Sequence, residues 1–186
     1  LGQGSVLKIF EWAQTIPRIE KFPIGSFWKK LKNILWILII GVFALSCDNS
    51  ENSNIQTFYL VRHAEKDLSD TTDNPSLTQE GKERAFKLVT VLKDVKVDAI
   101  YSTKYDRNMK TVKPLSGKVH KEIEIYEWHD WKPMLDKITK DKNLKTIVIC
   151  GHGDNLLPMI EYLGGKKPQE SLGHHEYDKI FKVVVY

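Results

Sequence analysis

Short runs rich in β-branched and aromatic residues alternate with longer helical patterns from Ile55 to the end of the chain, and this alternation constrains the fold most. The predicted strands are residues 57–61, 97–101, 122–126, 146–150 and 180–186. Strands that alternate with amphipathic helices are typical of βαβ units, in which helices join parallel strands across the faces of a sheet. The pattern therefore predicts one three-layer α/β/α domain with a mostly parallel sheet over residues 55–186.

Helical patterns occupy the stretches between these strands. The first predicted helix is capped by Thr78, and the others span residues 105–115, 131–139 and 156–163. We expect the second of them to stop near Pro114 and Gly117, because proline lacks the amide proton that an interior helical position donates.

Residues 1–46 are predicted to be a leader and signal peptide outside this fold. Three lysines precede an apolar run of 12 residues from Ile34 to Leu45. A membrane-spanning helix needs roughly 20 apolar residues, whereas the core of a signal peptide needs about 7 to 15. The length of the run therefore favours a signal sequence over a membrane span.

The apolar run ends in Ala44-Leu45-Ser46-Cys47, which resembles the lipobox of bacterial lipoproteins. This resemblance implies a lipid on Cys47 that anchors the chain to a membrane of the bacterial cell envelope, facing away from the cytoplasm. Residues 47–54 are polar and predict a tether between lipid and domain. An ordinary cleaved signal peptide or a short uncleaved anchor is the alternative.

The charge distribution argues against nucleic acid as a partner. Of the 28 basic and 24 acidic side chains, six basic and two acidic ones precede Cys47, which leaves 22 of each sign after it. Nucleic-acid binding needs a basic surface, and the predicted mature chain has no net charge to supply one.

Polar side chains follow three of the predicted parallel strands. Arg62 and His63 follow the first, Ser102 and Thr103 the second with Arg107 shortly after, and His152 follows the fourth. Ligands of open α/β sheets bind at the carboxyl ends of the strands, so we expect these groups to converge. The site would then hold a nucleophile, two fixed cations and a second imidazole around one tetrahedral anion. This combination predicts phosphoryl chemistry.

Each side chain suits a defined role in that chemistry. A neutral His63 is nucleophilic and forms a labile phosphoramidate, while Arg62 and Arg107 present planar donor forks to phosphate oxygens. We expect His152 to donate to an oxygen of the transferred group and Glu127 to protonate the leaving alcohol as general acid. Glu65 is the alternative acid and a further predicted substrate-binding residue.

Four sequence blocks resemble those of the histidine phosphatase superfamily, which has the phosphoglycerate-mutase-like fold. The blocks are Val61-Arg62-His63-Ala64-Glu65-Lys66, Leu77-Thr78-Gln79-Glu80-Gly81, Tyr101-Ser102-Thr103-Lys104-Tyr105-Asp106-Arg107 with Thr111, and Cys150-Gly151-His152-Gly153. The resemblance covers about residues 56–186. It implies that His63 accepts the phosphoryl group, that Arg62, Arg107 and His152 form the phosphate pocket, and that the reaction uses neither a metal nor another cofactor.

Two departures from the family pattern refine this expectation. Ala64 stands where glycine is usual, and the substrate lid of the mutases is absent because only 44 residues separate Arg107 from His152. We therefore predict a short, lidless phosphatase with an open site that acts on phosphate monoesters or phosphohistidine. The substrate, a phosphorylated small molecule or a phosphoprotein, stays open. A non-catalytic phosphate-binding envelope lipoprotein and a phosphoglycerate-type mutase are the alternatives.

Two aromatic or imidazole clusters are predicted to lie outside the site. Trp128, His129 and Trp131 are interpreted as local packing. His174 and His175 are interpreted as a solvated turn, because adjacent histidines point apart and no carboxylate or cysteine completes a ligand set.

Overall fold

The computed structural model describes residues 54–186. Its strands are β1 (Gln56–Arg62), β2 (Ala99–Ser102), β3 (Ile123–Ile125), β4 (Thr146–Gly151) and β5 (Ile180–Val185). Its helices are α1 (Gln79–Val91), α2 (Asp106–Val119), α3 (Lys132–Lys140) and α4 (Leu156–Tyr162). The predicted signal peptide, Cys47 and all of the predicted tether except Asn54 lie outside the described residues.

The five strands form one sheet in the order β3-β2-β4-β1-β5. Strands β1 to β4 run parallel, and β5 pairs antiparallel with β1 at the edge. Arg62 at the end of β1 lies opposite Gly151, and Ser102 at the end of β2 lies opposite Cys150. These strands therefore end nearly level, and the residues that follow them emerge at one edge of the sheet.

Alternate residues of the central strand β4 face opposite layers of helices, as the two-residue repeat of a strand requires. Ile147 and Ile149 pack with α3 and α4, whereas Val148 and Cys150 pack with α1 and α2. All four side chains are fully buried. Burial of each aliphatic side chain stabilises the fold by about 1.5–3 kcal/mol relative to exposure. The predicted three-layer α/β/α architecture with a mostly parallel sheet is confirmed.

Helix α2 continues through Pro114 and Gly117 and ends at Val119, so the prediction that it ends at residue 115, near Pro114 and Gly117, places its end too early. The proline removes one hydrogen bond of the helix. Val112 and Leu115, on either side of it, are buried against the sheet and hold the helix in place. The helix ends where His120 adopts a left-handed conformation with φ of 54°.

Residues 164–179, which lie between α4 and β5, contain neither helix nor strand and are called the 164–179 segment below. Within residues 54–186, no helix has the length and apolar character needed to cross a bilayer.

Candidate active site

A cavity of about 610 Å³ lies at the carboxyl edge of the parallel strands. It brings together four of the predicted site residues: Arg62, His63, Arg107 and His152. The 164–179 segment supplies a further wall. The other residues that line the cavity are Lys66, Leu68, Trp128, Gly153, Asp154, Ser171, Leu172, His174, His175 and Tyr177.

His63 is fixed in one orientation and in its neutral form. Its backbone N–H donates to the carbonyl of Gly151 at 3.0 Å, which continues the sheet by one residue. Its Nδ1 lies 2.9 Å from the carbonyl oxygen of Ala64. A carbonyl can only accept, so Nδ1 carries the proton and Nε2 keeps a free lone pair. Burial, together with the charges of Arg107 and Arg62, lowers the pKa of His63 to about 4.

His152 is held from three sides. Its backbone N–H donates to Oδ1 of Asn155 at 2.8 Å, and its Nε2 lies 3.0 Å from Oγ1 of Thr103. Its ring stacks on Trp128 with 3.8 Å between the ring centroids, and it lies 5.5 Å from the ring of His63. Burial, followed by the neighbouring His63 and Arg107, lowers the pKa of His152 to about 2. Both imidazoles are therefore neutral near pH 7.

Arg107 lies in the first turn of α2 and is only 6% exposed. Its guanidinium lies over the ring of Tyr105, with 4.7 Å from Cζ to the centroid. Nε and Nη1 are buried and have no hydrogen-bond partner among the described residues. A buried N–H without a hydrogen-bond acceptor destabilises the fold. A bound anion would accept from both donors, and the positive guanidinium makes this a favourable position for its negative charge.

Arg62 links the sheet to the 164–179 segment. Its Nη1 donates to the carbonyl oxygens of Gly173 at 2.7 Å and Glu176 at 3.3 Å. Its Cζ lies 4.5 Å from the ring centroid of Tyr177. Its buried Nε has no hydrogen-bond partner within residues 54–186. Arg62 thus anchors one wall of the cavity while it still has an unpaired donor.

Ala64 fits the site without strain. Its backbone N–H donates to Oγ1 of Thr111 at 2.9 Å, and that hydroxyl donates to the carbonyl of Arg107 at 2.7 Å. Among the described non-glycine residues only His120 has a positive φ, so the backbone at position 64 does not need glycine. The Thr111 hydroxyl therefore joins the end of β1 to the helix that carries Arg107.

The two predicted acids lie outside the cavity lining. The Glu65 carboxylate accepts from Nε of Arg84 at 2.8 and 2.9 Å; although burial raises its pKa, these bonds hold it below its usual value. Glu127 is exposed and borders a separate concavity beside Thr103. Asp154 is the carboxylate that lines the cavity, and its Oδ1 accepts from Nε1 of Trp128 at 3.0 Å.

Sequence reasoning missed several residues that line the cavity. Trp128, interpreted as packing, does pack, but against His152 in the cavity wall. His174 and His175 are exposed, as expected of a turn, and nevertheless face the cavity. The position of Asp154, two residues after His152, was an available indication of its place. Within residues 54–186, no group of three or more His, Cys, Asp or Glu side chains is arranged to bind a metal ion.

The family model described as histidine phosphatase superfamily (branch 1) matches residues 58–132, which include His63 and Arg107. No curated protein matches the sequence of this chain.

Solved structures with the same fold include several phosphatases. A candidate alpha-ribazole-5'-P phosphatase from Escherichia coli is 12% identical with a TM-score of 0.57, and the match covers 70% of this chain and 91% of that one. A phosphoserine phosphatase from Entamoeba histolytica is 18% identical with a TM-score of 0.53, covering 68% and 89%. The candidate phosphohistidine phosphatase SixA from Agrobacterium tumefaciens is 19% identical with a TM-score of 0.50, covering 59% and 77%. These likenesses confirm the predicted phosphoglycerate-mutase-like fold.

Proposed function

We infer that this chain belongs to the histidine phosphatase superfamily, as its family match and its fold support, and that it hydrolyses phosphate monoesters or phosphohistidine through a phosphohistidine intermediate on His63. One observation carries the inference. A neutral imidazole with a free Nε2 lines the same cavity as Arg107, whose buried donors have no partner in the described part of the chain. A nucleophile beside unsatisfied cationic donors suits a phosphoryl group.

In the first step, the Nε2 lone pair of His63 attacks phosphorus. The P–N bond to His63 forms as the bond from phosphorus to the leaving atom breaks. The leaving atom, which is oxygen in a monoester and nitrogen in a phosphohistidine, takes a proton from a carboxylic acid. Arg62 and Arg107 bind the non-bridging oxygens and stabilise their charge. His152 donates a hydrogen bond to the same group.

In the second step, water attacks the phosphorus of phosphohistidine. The P–N bond breaks, its electron pair returns to Nε2 of His63, and the carboxylate left by the first step takes the proton of water. The products are inorganic phosphate and the starting enzyme. His63 leaves as a neutral imidazole without further protonation, because its Nδ1 already carries the proton that it donates to the carbonyl of Ala64.

We propose Asp154 as the acid and keep Glu127, the residue predicted from sequence, as its rival. Asp154 lines the cavity, and its hydrogen bond from Trp128 fixes its orientation, whereas Glu127 is exposed outside the lining. The isosteric variants Asp154→Asn and Glu127→Gln distinguish them on phenyl phosphate and para-nitrophenyl phosphate. Loss of the acid should slow the hydrolysis of phenyl phosphate more than that of para-nitrophenyl phosphate, because phenolate is the poorer leaving group. A larger selective loss in Glu127→Gln would reverse the assignment.

The experiment that tests the function is phosphate release from para-nitrophenyl phosphate by the full 186-residue chain with a chelator present throughout. We expect His63→Asn to lower kcat by roughly 10³-fold or more. His120→Asn is the matched control, since it removes an exposed histidine at the far end of α2 where asparagine tolerates the left-handed backbone.

Radiolabelled phosphate should be recovered from the quenched wild-type enzyme in an acid-labile bond that His63→Asn does not form. Hydrolysis that survives in His63→Asn would exclude the proposed intermediate. A wild-type chain that binds phosphate without turnover would support the non-catalytic alternative, and transfer of the label to an acceptor alcohol in preference to water would support the mutase.

We propose further that a lipid on Cys47 anchors the domain in the cell envelope. This proposal rests on the sequence alone, in which an apolar run ends at a small residue followed by Cys47. Metabolic labelling with radioactive palmitate in a bacterial host tests it. Cys47→Ser should lose the label, and Cys150→Ser, which changes the buried cysteine of β4, should retain it. Label that persists in Cys47→Ser would overturn the proposal.

A further inference from the structure

We propose that Lys66, His174 and His175, here called the basic wall, bind a second anionic group of the substrate. The substrate class is then an organic phosphate that carries a second phosphate or a carboxylate. The proposal rests on the proposed function in one respect: the first phosphoryl group lies against Arg62, Arg107 and His63.

The cavity is larger than a single phosphate group requires. Its volume of about 610 Å³ falls in the range of pockets that enclose whole small-molecule ligands, roughly 300–1,000 Å³. Leu68, Leu172 and Tyr177 add apolar surface to its lining. The cavity therefore has room for the organic part of a substrate and for a second polar group beyond the phosphoryl site.

With Asp154 protonated, as its proposed role as the acid of the first step requires, the positive charges of the cavity are not balanced by one phosphate. Arg62, Lys66 and Arg107 are the lysine and arginine side chains in the lining, and Asp154 is its carboxylate. A phosphate dianion matches the two arginines. Lys66 takes part in none of the ion pairs formed within residues 54–186, so its charge is left for another anion.

The basic wall is held in position by backbone contacts. Lys66 forms a bridge with Leu77, and the adjacent N–H of Asp67 donates to the carbonyl of Ser76 at 2.8 Å. On the other side, Arg62 binds the carbonyls of Gly173 and Glu176, the residues that flank His174 and His175.

The strand order places the two histidines of the basic wall and Asp154 on opposite sides of β1. Lys66 follows β1, and the two histidines precede β5, which pairs with β1. Asp154 follows β4 and is bonded to Trp128, which follows β3. A second anionic group at the basic wall therefore meets donors from two neighbouring elements, while the one carboxylate of the lining is engaged by Trp128.

Binding by the full chain carrying His63→Asn tests the proposal without turnover. Calorimetry compares matched ligands: 3-phosphoglycerate with glycerol 3-phosphate, and fructose 1,6-bisphosphate with fructose 6-phosphate. We expect the ligand with the additional anion to bind roughly tenfold or more tightly in at least one pair, as a charge-assisted contact provides. The first pair reports a carboxylate and the second a phosphate.

Lys66→Gln should reduce that preference to less than threefold, and the double variant His174→Gln/His175→Gln should reduce it in part. Lys96→Gln is the control, because it removes one exposed lysine just before β2, at the opposite edge of the sheet. Equal affinity within both pairs, or a preference that Lys66→Gln leaves intact, would overturn the second subsite. Neither result depends on hydrolysis, so loss of the subsite and loss of phosphatase function are distinguishable.

Discussion

The floor of the cavity and its 164–179 wall are built in different ways. In the floor, His63, Arg107 and His152 are buried, and each lies directly after a strand or in the first turn of a helix. In the wall, exposed turns are held by a few side-chain bonds to Arg62 and Glu176. A preorganised floor suits the charge that develops in a transition state, whereas a less constrained wall suits discrimination among substrates. Changes in the floor should therefore alter kcat, and changes in the wall should alter KM.

Among substitutions that keep the positive charge of the floor, Arg107→Lys should give the largest loss of activity. Nε and Nη1 of Arg107 are separate buried donors, and a lysine ammonium cannot reproduce their planar arrangement. We expect kcat/KM for para-nitrophenyl phosphate to fall roughly 10²–10³-fold. A fall in kcat/KM of less than tenfold in the folded variant would mean that a positive charge at position 107 is sufficient and that the planar arrangement of donors is not needed.

The buried histidines of the floor should make the domain sensitive to acid. The folded-state pKa of His63 is about 4 against an ordinary value of 6.5, so between these pH values only the unfolded chain binds the proton. Stability is complete above pH 6.5 and is lost as the pH falls towards 4. We expect His63 to account for about 2–3 kcal/mol of the stability lost between pH 7 and pH 4.5.

Urea unfolding at the two pH values measures this loss. His63→Asn should lose about 2–3 kcal/mol less than the wild type over the same interval, because His152 and the carboxylates that also titrate are common to both proteins. Identical losses in the two proteins would show that His63 is protonated in the folded state well above pH 4.

The floor could be predicted from sequence because its residues follow the rules of parallel sheets. Arg62 ends the apolar strand β1, His63 and His152 come directly after β1 and β4, and level strand ends bring them together. Arg107 could be placed in the same way, one turn into the helix that follows β2. The strand pattern alone therefore predicted that His63 and the two arginines lie together in one cavity.

The wall could not be predicted, because nothing in its local sequence fixes its path. His174 and His175 reach the cavity through hydrogen bonds from Arg62, a residue 111 positions away from Gly173. The course of α2 was mispredicted for a related reason, since burial of Leu115 against the sheet outweighs the helix-breaking tendency of Pro114. Long-range contacts decide both features, and local patterns do not contain them.

Thr103→Val tests whether the hydrogen bond between Thr103 and His152 contributes to catalysis. The Thr103 hydroxyl is buried and lies 3.0 Å from Nε2 of His152, so valine leaves that nitrogen without its partner at nearly constant volume. We expect kcat to fall roughly tenfold with little change in KM. Thr103→Ser keeps the hydroxyl and should stay within threefold of the wild type. Equal losses in both variants would point to packing instead of the hydrogen bond.

Glu176→Gln should give the smallest effect, and one confined to the wall. The carboxylate accepts from the N–H of Gly173 at 2.7 Å and from Gln169 and Lys179 at 2.8 Å each. The hydrogen bond from Lys179, with those from Gly173 and Gln169, lowers the pKa of Glu176 to about 2, so the wall is held by a carboxylate across the whole working range of pH.

An amide at position 176 has one accepting oxygen in place of two and no charge for Lys179, so the turn that carries His174 and His175 loses part of its support. We expect KM for a substrate with two anionic groups to rise about two- to fivefold, with kcat for para-nitrophenyl phosphate within twofold of the wild type. A fall in kcat larger than the rise in KM would show that the wall is coupled to the floor through Arg62, and the division between chemistry and selectivity would then have to be abandoned.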